Sequence, residues 1–222
     1  MLEGTREQLG RSFTRLPDEV AVVLHPGALA LALAQPYWPL FRLLTAPAGR
    51  RYLAGWCAQR ELHMLAPRVA ERHASAVPGS REMVMLAPAV LYAQLVVAVN
   101  NRGLPPPFTP GSFGRYVRWA WLLAGAAQYF SGQTAHARPA IARRLHEGRE
   151  PSFPPSVRDA TLLGGSIFDL LANERGGGAA VALACTPPRG SGRDVLNTAF
   201  GGRAAVHTEG RWRAHLARLA AP

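Results

Sequence analysis

Residues 83–101, MVMLAPAVLYAQLVVAVNN, are apolar almost throughout, with one polar side chain, Gln94, in the middle. A helix that is apolar on every face has to be surrounded by protein. Pro88 suits a first turn, where its missing N–H has no intrahelical partner to lose. Asn100, Asn101 and Gly103 suit the end of a helix. The pattern therefore predicts a core helix over residues 87–99, with its single amide hydrogen-bonded. The run is too short, and too interrupted by Pro88 and Gln94, to be read as a membrane span.

A chain of 222 residues can bury a substantial core around such a helix. The chain is read as one domain over 1–222, with a small sheet-containing part at 1–80 and a helical part at 81–222. The first residues, MLEGTREQLGRSF, are polar and mixed in charge, so no secretory leader is expected. Cys57 and Cys185 form no disulfide framework and no metal spacing. A reduced, cytoplasmic protein is the expectation. All 25 basic residues are arginine, which with the abundant alanine reads as the coding bias of a GC-rich bacterial genome. The net charge of +11 would attract nucleic acid, acidic proteins or anionic lipid. The arginines are scattered, however. The densest groups, Arg143-Arg144 and Arg211 to Arg213, are short and lack interleaved aromatics, so nucleic acid is not the leading partner.

Taken in order, residues 1–16 form a helical or loose lead-in. A β-branched run at 20–24 ends in His25-Pro26-Gly27 and predicts a strand and turn. A small helix is expected at 28–34, and an aromatic, apolar segment at 37–45 should pack on the core. Residues 50–56 are ambiguous. The alternation at 60–65 predicts a second strand, and 68–76 a helix or loop-helix. After the central helix comes a stiff proline-rich connector at 104–111. One helix is expected from 112 to about 130, with small residues at Gly125-Ala126-Ala127 implying close packing. A basic amphipathic helix at 137–147, a proline loop at 149–155 and a helix at 159–174 follow. Gly176-Gly177-Gly178 reads as a cap and turn, 181–184 as a short apolar piece, and 195–200 and 209–219 as the last helices. Two strands followed mostly by helix define a helix-rich α+β class.

This order of elements resembles the gluzincin metallopeptidases of the MA clan, the thermolysin-like and aminopeptidase-like proteins. Residues 91–97, LYAQLVV, align with the family's x-x-His-Glu-Leu-x-His helix. Residues 121–132, WLLAGAAQYFSG, align with the W-L-x-E-G-x-A-x-Y segment that carries the third zinc ligand. Gly164-Gly165-Ser166-Ile167-Phe168 matches a small-residue helix, and Phe200-Gly201 and Glu209-Gly210-Arg211-Trp212 match the tail. The resemblance covers about Val20 to Leu219 and implies a zincin-like fold.

It also implies that the chemistry is gone. Ala93 and Val97 stand where the two histidines would be, Gln94 where the catalytic glutamate would be, and Ala124 where the third ligand would be. Alanine and valine offer no lone pair, and an amide is not a useful base at neutral pH. No cofactor and no metal are expected. The resemblance thus implies a pseudo-metallopeptidase with a binding or scaffold role through the vestigial cleft, its ligand a peptide or a protein, with Tyr92, Gln128 and Tyr129 as cleft-lining residues. Gln94 and Tyr129 could hydrogen-bond each other there.

Two other classes stay open. One is an active metallohydrolase with a site built elsewhere, from residues such as Glu61, His63, Glu71 and His73. The other is a basic adaptor for nucleic acid or an acidic partner. The seven histidines form no HxxxH or HxH pair. Ser131 follows no strand-turn elbow, and the two cysteines read as small apolar residues.

Overall fold

The computed structural model describes residues 2–104, 110–147 and 150–221. Helix α1 (Leu2–Gly10) leads into strand β1 (Ala21–His25). Helices α2 (Ala28–Ala34), α3 (Tyr37–Leu44) and the single turn α4 (Pro47–Arg50) precede strands β2 (Gly55–Cys57) and β3 (Glu61–Leu65). Helices α5 (Pro67–Glu71) and α6 (Ser80–Met85) then bring the chain to the central helix α7 (Ala87–Asn100). Beyond it run α8 (Pro110–Arg118), α9 (Ala120–Phe130), α10 (Gln133–His136), α11 (Arg138–His146) and the long α12 (Val157–Arg175). The chain closes with α13 (Gly177–Cys185), α14 (Gly192–Ala199) and α15 (Ala205–Ala220). The class is helix-rich α+β, with a small sheet near the N-terminus.

The sheet has the order β1-β3-β2, with β1 parallel and β2 antiparallel to β3. Three strands stand where the sequence predicts two, because β2 is only Gly55-Trp56-Cys57 and is buried at every residue, which leaves no alternation to read. Helix α7 packs on β2 and β3 on one side and on α9 on the other. Its residues from Leu91 to Ala98 are all buried, as an all-apolar helix requires. Pro88 lies in its first turn, and Asn101 ends it. The Asn101 side chain is itself buried, donating to the carbonyls of Ala184 (2.8 Å) and Thr186 (3.0 Å) at the end of α13.

Helices α9 and α12 cross in backbone contact. A Cβ on Gly125 would lie 2.5 Å from the Gly164 carbonyl carbon, and one on Gly164 would lie 2.8 Å from the Gly125 Cα. Two backbones meet there with nothing between them, which explains the small residues at both positions. Gly165 is closed off by side chains instead, those of Thr134 and Gln128. Residues 121–130 of α9 and 164–165 of α12 thus pack directly on each other. Trp212 on α15 is fully buried and donates its indole N–H to Ser166 Oγ (2.8 Å) on α12.

Several expectations are corrected. The helix predicted over 112–130 is two, α8 and α9, broken at Trp119 (φ −109°, ψ 21°). The apolar face runs through the break, so periodicity alone does not register it. Gly177 and Gly178 are not a turn but the first turn of α13; only Gly176 (φ 83°) plays the part of the C-cap. Helix α11 is less of a solvent-facing basic helix than its sequence implies, because Arg144 turns inward onto Asp159 of α12 with bonds of 2.7 and 2.8 Å. In α3, Trp38 and Phe41 are buried as expected, but Leu40, Leu43 and Leu44 face solvent. Most of the proline connector expected at 104–111, and the start of the loop at 149–155, lie outside the described residues.

Candidate functional site

The site that the resemblance marks lies where β2, α7 and α9 meet. Helix α7 presents Ala87, Val90, Leu91 and Gln94 to one cavity. This is the i, i+3, i+4, i+7 spacing that puts side chains on one helical face. Strand β2 contributes Gly55 and Trp56, α9 contributes Ala124 and Gln128, and Phe41 of α3, Tyr116 of α8 and Thr161 of α12 also line it. The cavity measures about 40 Å³, the scale of one or two water molecules.

Of the four positions aligned with the metallopeptidase machinery, Gln94 and Ala124 line this cavity. Ala93 and Val97 do not. Both are fully buried within the core around α7. The Gln94 amide donates to the Tyr116 hydroxyl (2.8 Å), not to Tyr129. Tyr116 in turn packs edge-on to Phe41 (5.1 Å) and tilted against Trp56 (5.2 Å), and Phe41 and Trp56 also touch (5.5 Å). Three rings from α3, β2 and α8 thus plug the space in front of Gln94. Burial holds the Tyr116 hydroxyl well above the usual phenol range, aided by neighbouring Cys57 and opposed by the bond from Gln94. The phenol is a neutral hydrogen-bonding group there, not a proton donor to chemistry.

Gln128 also faces inward. Its amide donates to the Thr161 carbonyl and accepts from the Gly165 N–H (3.0 Å), so it bridges two α12 backbone groups four residues apart. Two residues of the cavity wall carry a buried polar atom without a protein partner, Trp56 Nε1 and Thr161 Oγ1. Tyr92 and Tyr129 stand away from the cavity. Tyr92 borders a surface dent with Leu2, Arg6 and Val20, and Tyr129 stacks on Phe168 (6.3 Å).

Zinc is the metal the resemblance implies, and the side chains do not fit it. Ala93, Val97 and Ala124 have no donor atom, and the Gln94 amide is engaged with Tyr116. Among the described residues no group of three or more His, Cys, Asp or Glu could hold a metal ion. The set Glu61, His63, Glu71 and His73 does not converge. Glu71 pairs with Arg81 (2.6 Å), whereas His63 bonds Glu61 (2.8 Å) through Nε2 and His25 (3.0 Å) through Nδ1. With both ring nitrogens of His63 committed, no lone pair is left for a metal.

The Glu61–His63–His25 chain is a polar cluster that the sequence does not reveal, since its histidines sit on β1 and β3 and are 38 residues apart. Burial, and secondarily the neighbouring His63, lower the His25 pKa below its ordinary value. A second such pair joins His215 of α15 to Asp169 of α12 (2.8 Å). The other candidates are structural. Ser131 donates its hydroxyl to the Gln128 carbonyl (3.1 Å) at the end of α9. Burial pushes the Cys57 thiol up to about 12, so the thiolate that nucleophilic chemistry needs is not formed at neutral pH.

The densest arginine groups are met by carboxylates. Arg143 pairs with Glu147, Arg144 with Asp159, Arg211 with Glu174, and Arg213 with Glu150 and Glu209. None of the described helices is long and apolar enough to cross a membrane. Comparison with known proteins places the chain in no group: no family model, no curated protein and no solved structure matches it.

Proposed function

We propose that this chain is a degenerate zincin-like protein, a pseudo-metallopeptidase that no longer hydrolyses peptides and serves as a binding or scaffold domain. One observation carries the reading. Gln94 and Ala124, aligned with the catalytic base and the third ligand, reach the same small cavity between β2, α7 and α9. The contact between the small-residue segment of α12 and Trp212 adds to it. The small size of the cavity shifts the reading away from binding in the cleft itself. A volume of about 40 Å³ admits water and not a peptide, so a peptide or protein partner engages an outer face of the domain.

The test is the metal content of the purified protein before and after chelation, alongside peptide hydrolysis. The expected result is no stoichiometric zinc and no chelator-sensitive cleavage. About one tightly held zinc per chain, the content of a zincin site, would overturn the reading and return attention to the histidines.

A further inference from the structure

Of the large apolar side chains that face solvent among the described residues, all but Val206 fall between Val22 and Leu44. Val22 and Leu24 lie on β1, Leu29 and Leu33 on α2, and Leu40, Leu43 and Leu44 on α3. Helix α2 packs against β1, β3 and α3, so the elements that carry these side chains adjoin one another at the edge of the sheet that β1 forms. The sequence of α2, ALALALA, shows how the face arises. Leu29 and Leu33, four residues apart, share one side of the helix and are 75% and 78% exposed, while Leu31 on the other side is fully buried. The helix is apolar on both sides, yet the fold covers only one.

Along the chain from β1 to β2 the charge is one-signed, although Glu61 stands beside Ala21 at the start of β1. No Asp or Glu occurs between Glu19 and Glu61, an interval that holds Arg42, Arg50, Arg51 and Arg60. The Arg42 guanidinium lies over the Trp38 ring at 5.0 Å, and Arg50 donates to the carbonyls of Thr45 (2.8 Å) and Leu43 (3.2 Å) at the end of α3. Burial, and secondarily the neighbouring Arg50, lower the Arg42 pKa, and burial, then Arg42 and Arg72, lower that of His73. Among the described residues none of Arg42, Arg50 and Arg72 forms an ion pair, in contrast to the arginines at 143–144 and to Arg211 and Arg213.

We propose that the β1–α2–α3 face docks on an anionic phospholipid surface, with Leu29, Leu33 and Leu43 entering the headgroup boundary and Arg42 and Arg50 meeting the lipid phosphates. Exposed leucines bordered by unpaired arginines combine the two terms that hold a protein at such a surface, apolar burial and attraction to anionic lipid. A second copy of the chain fits less well, because it would set a net charge of +11 against its equal and bring the same arginines together. This inference does not depend on the zincin reading.

The test is co-sedimentation of the full chain with vesicles of phosphatidylcholine alone or with phosphatidylglycerol added, at low and high salt, with the mass in solution measured in parallel. The expected result is binding to the anionic vesicles only, weakened by salt. The triple variant Leu29→Gln, Leu33→Gln, Leu43→Gln should bind at least about tenfold more weakly, and Arg42→Gln about fivefold more weakly. All four residues are at least partly exposed, so the variants keep the wild-type melting temperature, and a matched melt separates lost binding from lost fold. No binding to anionic vesicles would overturn the proposal. So would equal binding to neutral vesicles, or a dimer that the leucine variants dissociate in the absence of vesicle binding.

Discussion

Helices α9 and α2 are both written mainly in alanine and leucine, and they have opposite fates. In α9 every residue except Tyr129 is buried, and its small residues let α12 approach to backbone contact. In α2 only Leu31 is buried, and two leucines of the same kind are left facing out. What differs is the company. Gly125 has Gly164 across from it, Gln128 has the backbone of α12, and Gln94 of α7 has Tyr116. Leu29 and Leu33 have none of the described residues over them. Composition and helical period therefore say that a face is apolar, but not that the same chain covers it. An apolar face closed by the fold is core, and one left open beside unpaired arginines is a surface with work elsewhere.

The contrast can be broken at three places. Gly125→Ala should have the largest effect. Its Cβ would sit 2.5 Å from the Gly164 carbonyl carbon, with backbone and not a movable side chain in the way. Overpacking of this kind costs about 3 kcal/mol, which for a chain of this size is a fall of roughly 10 °C in melting temperature. An unchanged melt would mean that α9 and α12 do not touch there.

An intermediate effect is expected from acid, at the join of the two regions, where β1 delivers His25 to His63. The fold keeps the His25 pKa below its ordinary value of 6.5, so the native state holds the ring neutral while the unfolded chain takes up a proton. Stability is then complete above about pH 6.5 and falls as the pH drops through that value towards the native pKa. His73 acts in the same direction, because burial and then Arg42 and Arg72 lower its pKa too. Thermal melts at stepped pH should show this decline, and His25→Gln should flatten part of it. A slope that His25→Gln leaves untouched would place the titration elsewhere.

The smallest effect should come from the open face. Leu29→Gln with Leu33→Gln should change stability by less than about 0.5 kcal/mol, since neither side chain leaves the core. A loss comparable to that of Gly125→Ala would show the α2 leucines to be packed and would erase the difference between the two regions.

Much of the architecture was legible because local chemistry and fold agree. Pro88 and Asn101 bracket α7, Gly176 stops α12, and the small helix at 28–34 was visible in full. The failures come where tertiary contacts override local pattern. Strand β2 is three buried residues with no alternation, held by pairing to β3. Gly177 and Gly178 are poor helix formers in isolation, yet they open α13, whose Ala180, Leu183 and Ala184 are buried. At the site, of the positions that the sequence marked, Gln94, Ala124 and Gln128 reach the cavity, and Ala93, Val97, Tyr92 and Tyr129 do not. It could not show that Tyr116 would cap Gln94, because that bond spans 22 residues and the break between α8 and α9. Nor could it show His25 beside His63, which depends on a parallel strand pairing.

The central claim is that a zincin-like frame survives around positions that have lost their ligands, and restoring those ligands tests it most directly. The fourfold variant Ala93→His, Gln94→Glu, Val97→His, Ala124→Glu puts three ligands and a base back into α7 and α9. Without metal it should melt below the wild type, since charged and imidazole groups replace buried apolar ones. Zinc should then raise its melting temperature, by the equivalent of about 4 kcal/mol at a thousandfold excess over the dissociation constant, and leave the wild type unmoved. A variant that folds but gains nothing from zinc would show that these four positions do not converge, and would contradict the account.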